Sequence, residues 1–374
     1  MKRSSRRSRG SVTIQDVARA AGVSAMTVSR VVNGEKNVRE STREAVLDAV
    51  QRLNYSPNTA ARSLAAGEAT HIGLLYSNPS AAYLSQFLVG ALKGARRTGS
   101  HLLIEACEGE SAEEQAEATR RFALTNVEGV ILPPPLSESK PVQAELEAAG
   151  ISVVSVAMGL APEGLLNVRI DDFGAATAMT RHLIELGHRR IGFIAGHPGH
   201  IASIERLRGF RACLADFGLD PDEAAIEQGY FTYRSGLSAA ERLLSRDNRP
   251  TVIFASNDDM AAATVNVAHR WGLHVPDDLS VVGFDDTAPA TIVWPELTTV
   301  RQPMAAMAEA ALHLLLGELK ARRVGGAPPA TELVLDHELI VRESCGPPPR
   351  LKKSAPWGEP RRKRVSASAS TASG

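Results

Sequence analysis

The sequence is poor in cysteine and in aromatic residues, carries no net charge and contains no long apolar run. Cys107, Cys213 and Cys345 are widely separated, which excludes a C-x-x-C metal motif and gives no pattern for a disulfide framework. No stretch approaches the roughly 20 apolar residues of a membrane span. The polar "SVTIQDVARAAG" stands where a signal peptide needs an apolar run of about 7 to 15 residues. The sequence therefore predicts a cytoplasmic protein without a membrane segment, a metal site or a cofactor.

The neutral total conceals a segregation of charge along the chain. Residues 1–67 hold 12 Lys/Arg against 5 Asp/Glu, and residues 350–374 hold 7 against 1, so the middle of the chain is acidic. Basic segments on an acidic body are typical of binding to a polyanion, because phosphate affinity comes largely from the release of counterions. Residues 1–11 and 346–374 lack the apolar content to fold, and both are predicted to be disordered basic tails.

Residues 12–57 have the pattern of three short helices. In the first, Thr13 and Asp16 make a capping-box pair, and apolar residues recur every three or four positions until a glycine ends the helix. Ser24 is expected to cap the second helix and Ser41 the third. Two helices joined by a tight glycine turn and followed by a third are typical of a helix-turn-helix domain, although any three-helix bundle shares the pattern.

The second of these helices, in the stretch "SAMTVSRVVNG", has two chemically different faces. One face is an apolar stripe of Val28, Val31 and Val32. The other face has no acidic residue and carries Met26, Ser29, Arg30 and Asn33. Donor groups without a carboxylate suit phosphate oxygens and base edges, so this helix is predicted to contact DNA. An alternative is that Met26 fills the small core of the three helices.

From His71 onward, short apolar runs alternate with helical stretches, which is typical of parallel α/β sheets. Eight strand candidates form two sets of four, "HIGLLY", "HLLIEA", "GVILP" and "SVVSV", then "RIGFIAG", "EQGYF", "TVIFAS" and "SVVGFDD". Each set opens with an Ile-Gly pair, and a glycine follows 18 residues after each isoleucine, at Gly90 and Gly209. Two similar lobes are therefore predicted.

Residues 70–345 are expected to contain both lobes, with the chain crossing between them near residues 168 and 298. Beyond the second set come "LTTVRQP", a helix from Met304 to about Lys320, and the strand candidates "TELVL" and "ELIVRES". These segments indicate that the chain returns between the lobes. A crevice is expected where the carboxyl ends of the strands of both lobes meet, and ligands bind in such crevices.

Segments spread over about residues 12–342 have a more specific likeness. They include "VTIQDVARAAGVSAMTVSRVVNG", "LNYSPNTAARSLAAG", "LGHRRIGFIAG", "FASNDDMA", "VPDDLSVVGFDD" and "PELTTVRQP". These segments resemble the lactose-repressor (LacI/GalR) family of bacterial transcription regulators. The resemblance implies an amino-terminal all-α helix-turn-helix domain, a hinge helix at residues 58–67, and an α/β core of two parallel-sheet lobes similar to periplasmic binding proteins. It further implies a homodimeric repressor that binds a palindromic operator under the control of a small effector, most often a sugar.

The resemblance assigns two kinds of DNA contact to the second helix and the turn after it. Base edges in the major groove would face Ala25, Met26 and Arg30. Phosphates would be held by Ser24, Thr27, Ser29, Asn33 and Asn37. Arg30 can donate two hydrogen bonds to guanine O6 and N7, whereas Ala25 and Met26 offer only apolar contact, for instance with a thymine methyl group. Because many relatives place a hydrogen-bonding residue at one of these two positions, the preferred operator stays open.

The predicted hinge helix, residues 58–67, is too short to be stable alone in water. By its residues alone, "AARSLAAG" is a flexible alanine-rich linker. The resemblance implies instead a helix that forms when two subunits pair on DNA, with Asn58, Ala61 and Leu64 as its contact residues. Leu64 would enter between base pairs of the minor groove, and Ala61 would allow the paired helices to approach closely.

Five residues are candidates for the effector crevice. Arg206 opens the "RLRGF" helix, and Asn257 and Asp285 close two strands, so their side chains are expected to reach into the crevice. The resemblance implies effector binding by these three, an aromatic contact from Phe231 with the apolar face of a ring, and a contact from Ser77 at the end of the first strand. By their residue types alone, Asp285 could cap the following turn and Phe231 could belong to the core.

One departure from the family pattern concerns the segment after the fourth strand. Numerous relatives have an acidic residue and an arginine there, whereas this chain has Val156, Ala157 and Met158. The departure predicts an effector with fewer polar contacts at this place, or one with an apolar substituent such as an aglycone.

Enzyme motifs find little support in the sequence. It contains no G-x-S-x-G, G-x-x-x-x-G-K-[ST] or H-E-x-x-H, and the glycine spacing of "GHPGH" does not fit a dinucleotide-binding fingerprint. A non-enzymatic regulator is therefore predicted, without a metal at His197 and His200. Two alternatives stay open: a corepressor-dependent regulator of the purine type, and a solute-binding protein for transport, against which the amino-terminal helices speak.

Overall fold

The computed structural model describes residues 13–32, 38–53, 70–108, 111–159, 164–221, 224–326 and 331–349. They belong to two compact units that divide between Thr70 and His71. None of the described helices is long and apolar enough to cross a membrane. Several predicted features lie outside the described residues: the arm 1–11, Asn33, Asn37, the hinge segment with Asn58, Ala61 and Leu64, and the tail from residue 350 onward.

The amino-terminal unit contains three helices, α1 (Ile14–Ala21), α2 (Ala25–Val32) and α3 (Glu40–Arg52). The predicted capping box is confirmed, because the Thr13 hydroxyl accepts from the N–H of Asp16 and the Asp16 carboxylate accepts from the N–H of Thr13 at 3.0 Å. These reciprocal bonds satisfy two donors that a helix start otherwise leaves unpaired.

The caps of the next two helices differ from one another. The N–H of Thr27 donates to the Ser24 hydroxyl at 3.1 Å, which confirms Ser24 as the cap of α2. The predicted cap at Ser41 is wrong. Helix α3 begins one residue earlier, at Glu40, so Ser41 is already inside the helix, and Arg39 at the cap position makes no side-chain bond.

A small hydrophobic core holds the three helices together. Val28 and Val31 of the predicted stripe are buried in it, whereas the side chain of Val32 lies outside what the structure describes. The other buried members of this core are Val17, Ala18, Val46 and Ala49. The valines thus fill the interior of the unit and leave the opposite face of α2 toward solvent.

The first lobe of the second unit is built on a parallel sheet of six strands, in the spatial order β11-β5-β4-β3-β1-β2. The strands are β1 (His71–Tyr76), β2 (His101–Ala106), β3 (Gly129–Leu132), β4 (Ser152–Val156), β5 (Leu166–Ile170) and β11 (Glu332–Leu335). The helices are α4 (Ala81–Thr98), α5 (Ala112–Ala123), α6 (Lys140–Ala148) and α12 (Met304–Val324). Strand β3 is buried along its whole length, as expected for a strand covered on both faces.

The second lobe has a parallel sheet of four strands in the order β7-β6-β8-β9. Its strands are β6 (Ile191–Ala195), β7 (Ala225–Gln228), β8 (Val252–Ala255) and β9 (Ser280–Val282). Its helices are α7 (Asp172–Glu185), α8 (Ile201–Asp216), α9 (Tyr233–Leu244), α10 (Asp258–Arg270) and α11 (Ala288–Ile292). Strand β7 ends three residues before the predicted "EQGYF" strand does, and beyond its end Phe231 takes a φ of +59°, which lies outside the extended region of a strand.

Three segments connect the lobes. One follows β5, a strand that the sequence analysis did not identify and that spans residue 168. The other two contain β10 (Thr299–Arg301) and β12 (Glu338–Ile340), which pair with each other in antiparallel fashion. After β12, Ser344 accepts from the N–H of Val281 at 2.9 Å, so the chain ends its described course at β9 of the second lobe.

The glycines that follow the two Ile-Gly pairs have the same packing role in both lobes. A Cβ at Gly90 in α4 would meet the backbone of Ala305 in α12, and a Cβ at Gly209 in α8 would meet the carbonyl oxygen of Phe173 in α7. In each lobe the missing side chain lets two helices approach closely. The 18-residue spacing therefore reflects a repeated helix–helix contact.

Candidate functional sites

Helix α2 presents its polar face to solvent. Met26 is 67% exposed and Arg30 is exposed, so Met26 does not fill the core of the amino-terminal unit. The hydroxyls of Ser24 and Thr27 lie 2.9 Å apart at the start of the helix, and its first turn carries no acidic residue. Ala25 differs from these residues because it is half-buried against the small core. An exposed helix start with hydroxyls and no carboxylate suits a phosphate group.

A cavity lies between the two lobes of the second unit. From the first lobe it is lined by Asn78, Pro79, Ser80, Tyr83, Pro134, Glu138 and Ala157. From the second lobe and the connecting segment it is lined by His200, Ala202, Arg206, Phe231, Asn257, Asp285 and Gln302. Most of these residues follow the carboxyl end of a parallel strand, where ligands bind in open α/β sheets.

Arg206 forms the buried centre of the second-lobe wall. Its Nε donates to Asp172 Oδ1 at 2.8 Å, and its Nη1 donates to the carbonyl oxygen of Ser256 at 2.6 Å. The guanidinium also lies over the ring of Phe284, 3.6 Å from the ring centre, and Nη1 lies 3.7 Å from Asp285 Oδ1. Two of its three nitrogens therefore already bind the protein.

Asp285 is buried beside Arg206, on a backbone with a φ of +114°. Its Oδ1 accepts from Nε2 of Gln302 at 2.5 Å, and its backbone N–H donates to Val300. Burial raises the pKa of Asp285, while the Arg206 guanidinium lowers it. The alternative that Asp285 merely caps the following turn does not hold, since Asp258 accepts from both the N–H and the hydroxyl of Thr287 there.

Asn257 fixes the edge of the cavity through both ends of its amide. Its Oδ1 accepts from the N–H of Met260 and so caps α10, and its Nδ2 donates to the carbonyl oxygen of Phe231 at 3.0 Å. The neighbouring carboxylates of Asp258 and Asp259 lie in the first turn of this helix. Asn257 thus holds Phe231 at the cavity.

Two rings form the apolar part of the second-lobe wall. Phe231 stacks on His200 with an angle of 19° between the rings and a centre-to-centre distance of 5.6 Å. A side chain at Gly196 would overlap the Phe231 ring, so glycine is required there. Burial lowers the pKa of His200 to about 4, which keeps the imidazole neutral at physiological pH. This part of the wall is therefore an uncharged aromatic surface.

The first-lobe wall begins one residue later than predicted. Ser77 follows β1, but the lining residues start with Asn78, because the chain turns there: Asn78 Oδ1 accepts from the N–H of Ser80 and its Nδ2 donates to the carbonyl oxygen of Pro134. Ser80 in turn donates from its hydroxyl to Asp259 Oδ2 of the second lobe at 2.6 Å. This segment therefore connects the two lobes beside the cavity.

Glu138 makes a second connection between the lobes. It ends a short 3₁₀ turn after β3, and both of its carboxylate oxygens accept from the N–H of Ile201, at 3.0 and 3.1 Å. That N–H is at the start of α8 in the second lobe, where the helix dipole favours a negative charge. Burial raises the pKa of Glu138 to about 7, against the lowering effect of this hydrogen bond.

The hydroxyl of Tyr83 is the unsatisfied group of the cavity. Tyr83 is 6% exposed and lines the cavity, and its hydroxyl has no hydrogen-bond partner among the described residues. Burial raises the pKa of this phenol, so it stays protonated. A buried hydroxyl without a partner is costly, and a ligand hydroxyl could satisfy it.

Comparisons with known proteins agree with this architecture. Residues 13–58 match the model of bacterial regulatory proteins of the lacI family, and residues 180–345 match the periplasmic binding protein-like domain. Catabolite control protein A of Priestia megaterium is 33% identical over 334 residues, which cover 89% of this chain and 99% of the relative. The chain belongs to the lacI family. That membership confirms the predicted family and agrees with a regulator rather than an enzyme.

Two solved structures of lacI-family regulators match nearly the whole chain. The transcriptional regulator CelR in complex with cellobiose is 33% identical, has a TM-score of 0.67, and is matched over 89% of this chain and 99% of its own. The lac repressor dimer bound to operator and the anti-inducer ONPF is 27% identical, has a TM-score of 0.66, and is matched over 90% and 100%. The predicted fold, a helix-turn-helix domain followed by a core of two parallel-sheet lobes, is thereby confirmed.

Several cavity residues of this lacI-family chain escaped the sequence analysis. Asn78 and Ser80 could have been found from their place directly after a predicted strand, as Asn257 was. Tyr83, Glu138 and Gln302 gave no comparable indication, because each lies in a helix, a short turn or a connecting segment and reaches the cavity only through the packing of the lobes. Of the triplet that departs from the family pattern, Ala157 lines the cavity.

Proposed function

We propose that this lacI-family regulator acts in the cytoplasm as a homodimeric repressor, and that a small effector, a sugar or glycoside, controls its affinity for a palindromic operator. The observation that carries the proposal is the cavity between two lobes that are held together beside it by hydrogen bonds. Occupancy of such a cavity changes the relative stability of lobe arrangements, and this is the requirement for control by a ligand.

The proposed DNA contact is made by α2 in the major groove. Arg30 and Met26 are exposed on its outer face and read base edges, while Ser24, Thr27 and Ser29 hold phosphates. The half-buried Ala25 contributes by contact with a thymine methyl group. Asn33 and Asn37 hold further phosphates, and Asn58, Ala61 and Leu64 form the minor-groove contact of the hinge.

The proposed effector contacts combine an aromatic surface with polar groups. Phe231 and His200 face the apolar side of a ring, and Arg206, Asn257 and Asp285 orient its hydroxyls, as do the first-lobe residues after Ser77. Such a combination suits a sugar, which has apolar C–H faces and hydroxyl edges. The CelR structure, which holds cellobiose, supports this choice of class.

The proposed mechanism is a shift between two arrangements of the lobes. The lobes are connected across the cleft by Ser80 to Asp259, by Glu138 to Ile201, and by Gln86, whose Nε2 donates to the carbonyl oxygen of Asp286 at 3.2 Å. A ligand that favours one arrangement changes how the two hinge segments of a dimer are held, and with them the minor-groove contact.

The test begins with duplexes that the full-length protein selects from a random pool, and it measures their binding by fluorescence anisotropy with and without a panel of neutral sugars and glycosides. We expect a selected palindrome and a glycoside that lowers affinity for it. Tightening by a ligand would favour the corepressor alternative. Failure to bind any duplex at low salt would contradict the proposal. Leu64→Ala should weaken binding to the selected duplex far more than to random DNA, and equal losses would refute the minor-groove contact.

A further inference from the structure

Each lobe contributes a carboxylate to the cavity. Glu138 lies on the first-lobe wall and accepts hydrogen bonds only from one backbone N–H among the described residues, through both oxygens. Asp285 lies on the second-lobe wall and accepts from the amide of Gln302. Glu138 has no ion-pair partner among the described residues, and Asp285 has one at a longer distance, since Nη1 of Arg206 lies 3.7 Å from its Oδ1. The cavity therefore has a carboxylate that can accept hydrogen bonds on each of two opposite walls.

The positive charge of the cavity is already balanced. Arg206 is the one arginine or lysine among the described lining residues, and its Nε forms a 2.8 Å ion pair with Asp172, which is itself buried. The guanidinium is held further by the Ser256 carbonyl oxygen and by the face of Phe284. His200, the other basic group of the lining, is neutral because burial lowers its pKa to about 4. Among the described lining residues, no cation is left to receive an anionic group.

An independent observation shows that the cavity is built for a polar ligand. The Tyr83 hydroxyl is buried at the cavity without a hydrogen-bond partner among the described residues. A hydroxyl both donates and accepts, so it pairs with a ligand hydroxyl without any change of charge. The two carboxylates likewise accept hydrogen bonds from hydroxyl groups, whereas a phosphate or a carboxylate on the ligand would bring like charges together.

We propose that the cavity binds neutral, hydroxyl-bearing ligands and excludes those with a phosphate or carboxylate group, because Glu138 and Asp285 face it from opposite lobes while Arg206 is neutralised by Asp172. The inference rests on the proposed function and narrows its effector class. Two like charges about 4 Å apart repel strongly near a protein surface, so the discrimination is expected to be about a hundredfold or more.

The test uses pairs of ligands that differ in one charged group. One pair is p-nitrophenyl β-D-glucopyranoside and p-nitrophenyl β-D-glucuronide, another is the matching galactopyranoside and galacturonide, and a third is glucose and glucose 6-phosphate. Isothermal titration calorimetry with the full-length protein at pH 8, where Glu138 is ionised, gives the affinities. In every pair of which a member binds, the affinity of the neutral member should exceed that of the anionic member by about a hundredfold or more. An anionic member that binds as well as its neutral partner overturns the inference.

Two matched substitutions identify the cause of the discrimination. Glu138→Gln removes a charge from the cavity wall and keeps an acceptor for the N–H of Ile201. The ratio of the affinities of the neutral and the anionic member of a pair should therefore fall about tenfold. Glu241→Gln removes a partly exposed carboxylate that pairs with Arg270 outside the described cavity lining, and the ratio of the two affinities should stay as in the parent. An unchanged ratio in Glu138→Gln, or an equal fall in both variants, contradicts the assignment.

The outcomes separate this inference from the proposed function. A neutral glycoside that binds as expected but leaves operator affinity unchanged would overturn the proposed function alone. An operator response to a sugar phosphate or a uronide would overturn the inference alone. A panel in which no member of any pair binds would overturn both.

Discussion

Helix α2 and the cavity between the lobes are opposite designs for recognition. On α2, the proposed base-contacting side chains of Met26 and Arg30 face solvent, and the valines behind them form the core. The cavity takes its lining from many separate segments, and its polar side chains are mostly buried and bonded to one another. The difference teaches that a side chain on the outer face of α2 can change with little effect on folding, whereas most side chains of the cavity also hold the protein together.

The largest effect is expected for Arg206→Ala, which removes the side chain at the buried centre of the second-lobe wall. The substitution leaves the buried Asp172 without its partner, and removing one member of a buried ion pair costs about 3–5 kcal/mol. Urea unfolding should report this loss from the free energy of unfolding of the second unit. The control is Arg208→Ala two residues away, whose exposed pair with Glu205 should be worth about 1 kcal/mol or less. Equal losses in the two variants would contradict the structural role of Arg206.

The next effect is expected for Arg30→Ala on the surface of α2. Loss of a two-bond contact with a base should weaken binding to the selected duplex by about 1–3 kcal/mol and relax its sequence preference. The unfolding curve should stay as in the parent, because the side chain is exposed. Arg52→Ala, at the exposed end of α3, serves as the control and should weaken all duplexes alike, if at all. An equal loss of affinity for all duplexes in Arg30→Ala would indicate that Arg30 contacts a phosphate and not a base.

A smaller effect is expected from the capping boxes at the starts of α1 in the first unit and α5 in the second. Thr13→Ala should cost the amino-terminal unit about 1 kcal/mol, and Ser111→Ala should cost the second unit a similar amount at α5. Hydrogen exchange resolves the two, because each substitution should speed exchange only in its own unit. Faster exchange in both units from either substitution would contradict their separation into two compact parts.

The smallest effect concerns pH and Glu138. Burial raises the pKa of its carboxyl from 4.5 to about 7, so the folded chain binds this proton more tightly than the unfolded chain between those values. This contribution to stability is present in full below about pH 4.5 and is lost as pH rises through about 7. Between pH 6 and 7.5 the free energy of unfolding of the parent should fall by about 1 kcal/mol or less relative to that of Glu138→Gln. A parent and variant with the same pH profile in thermal unfolding would contradict the shift.

The two designs also explain what could be predicted from the sequence. The face of α2 follows from the helical period alone, since its valines and polar residues alternate at fixed spacing. In the second unit, most strands were predicted within one or two residues, because their apolar runs are continuous. Strand β5 was missed because "LNVRI" contains Arg169, whose charge is paired only through Glu332 on β11, a strand far along the chain.

The cavity was predicted only where its residues follow strands. Asn257 and Asp285 stand directly after apolar runs, so the rule about strand ends places them in the crevice. Glu138 and Tyr83 become cavity residues because the second lobe packs against the first, and no local pattern encodes that contact. The pairing of Arg206 with Asp172 is likewise a long-range contact, and it turns a residue expected to bind ligand freely into one that is largely engaged by the protein.

The central claim is that the cavity and the DNA-contacting surface are coupled within one chain, and linkage tests it most directly. Coupling is reciprocal, so the factor by which a glycoside changes operator affinity must equal the factor by which the operator changes glycoside affinity. Both are measured with the same full-length protein, by anisotropy of the labelled duplex and by calorimetry of the glycoside with and without saturating duplex. We expect equal factors of about tenfold or more. A glycoside that binds equally well to the free and the operator-bound protein would contradict the account.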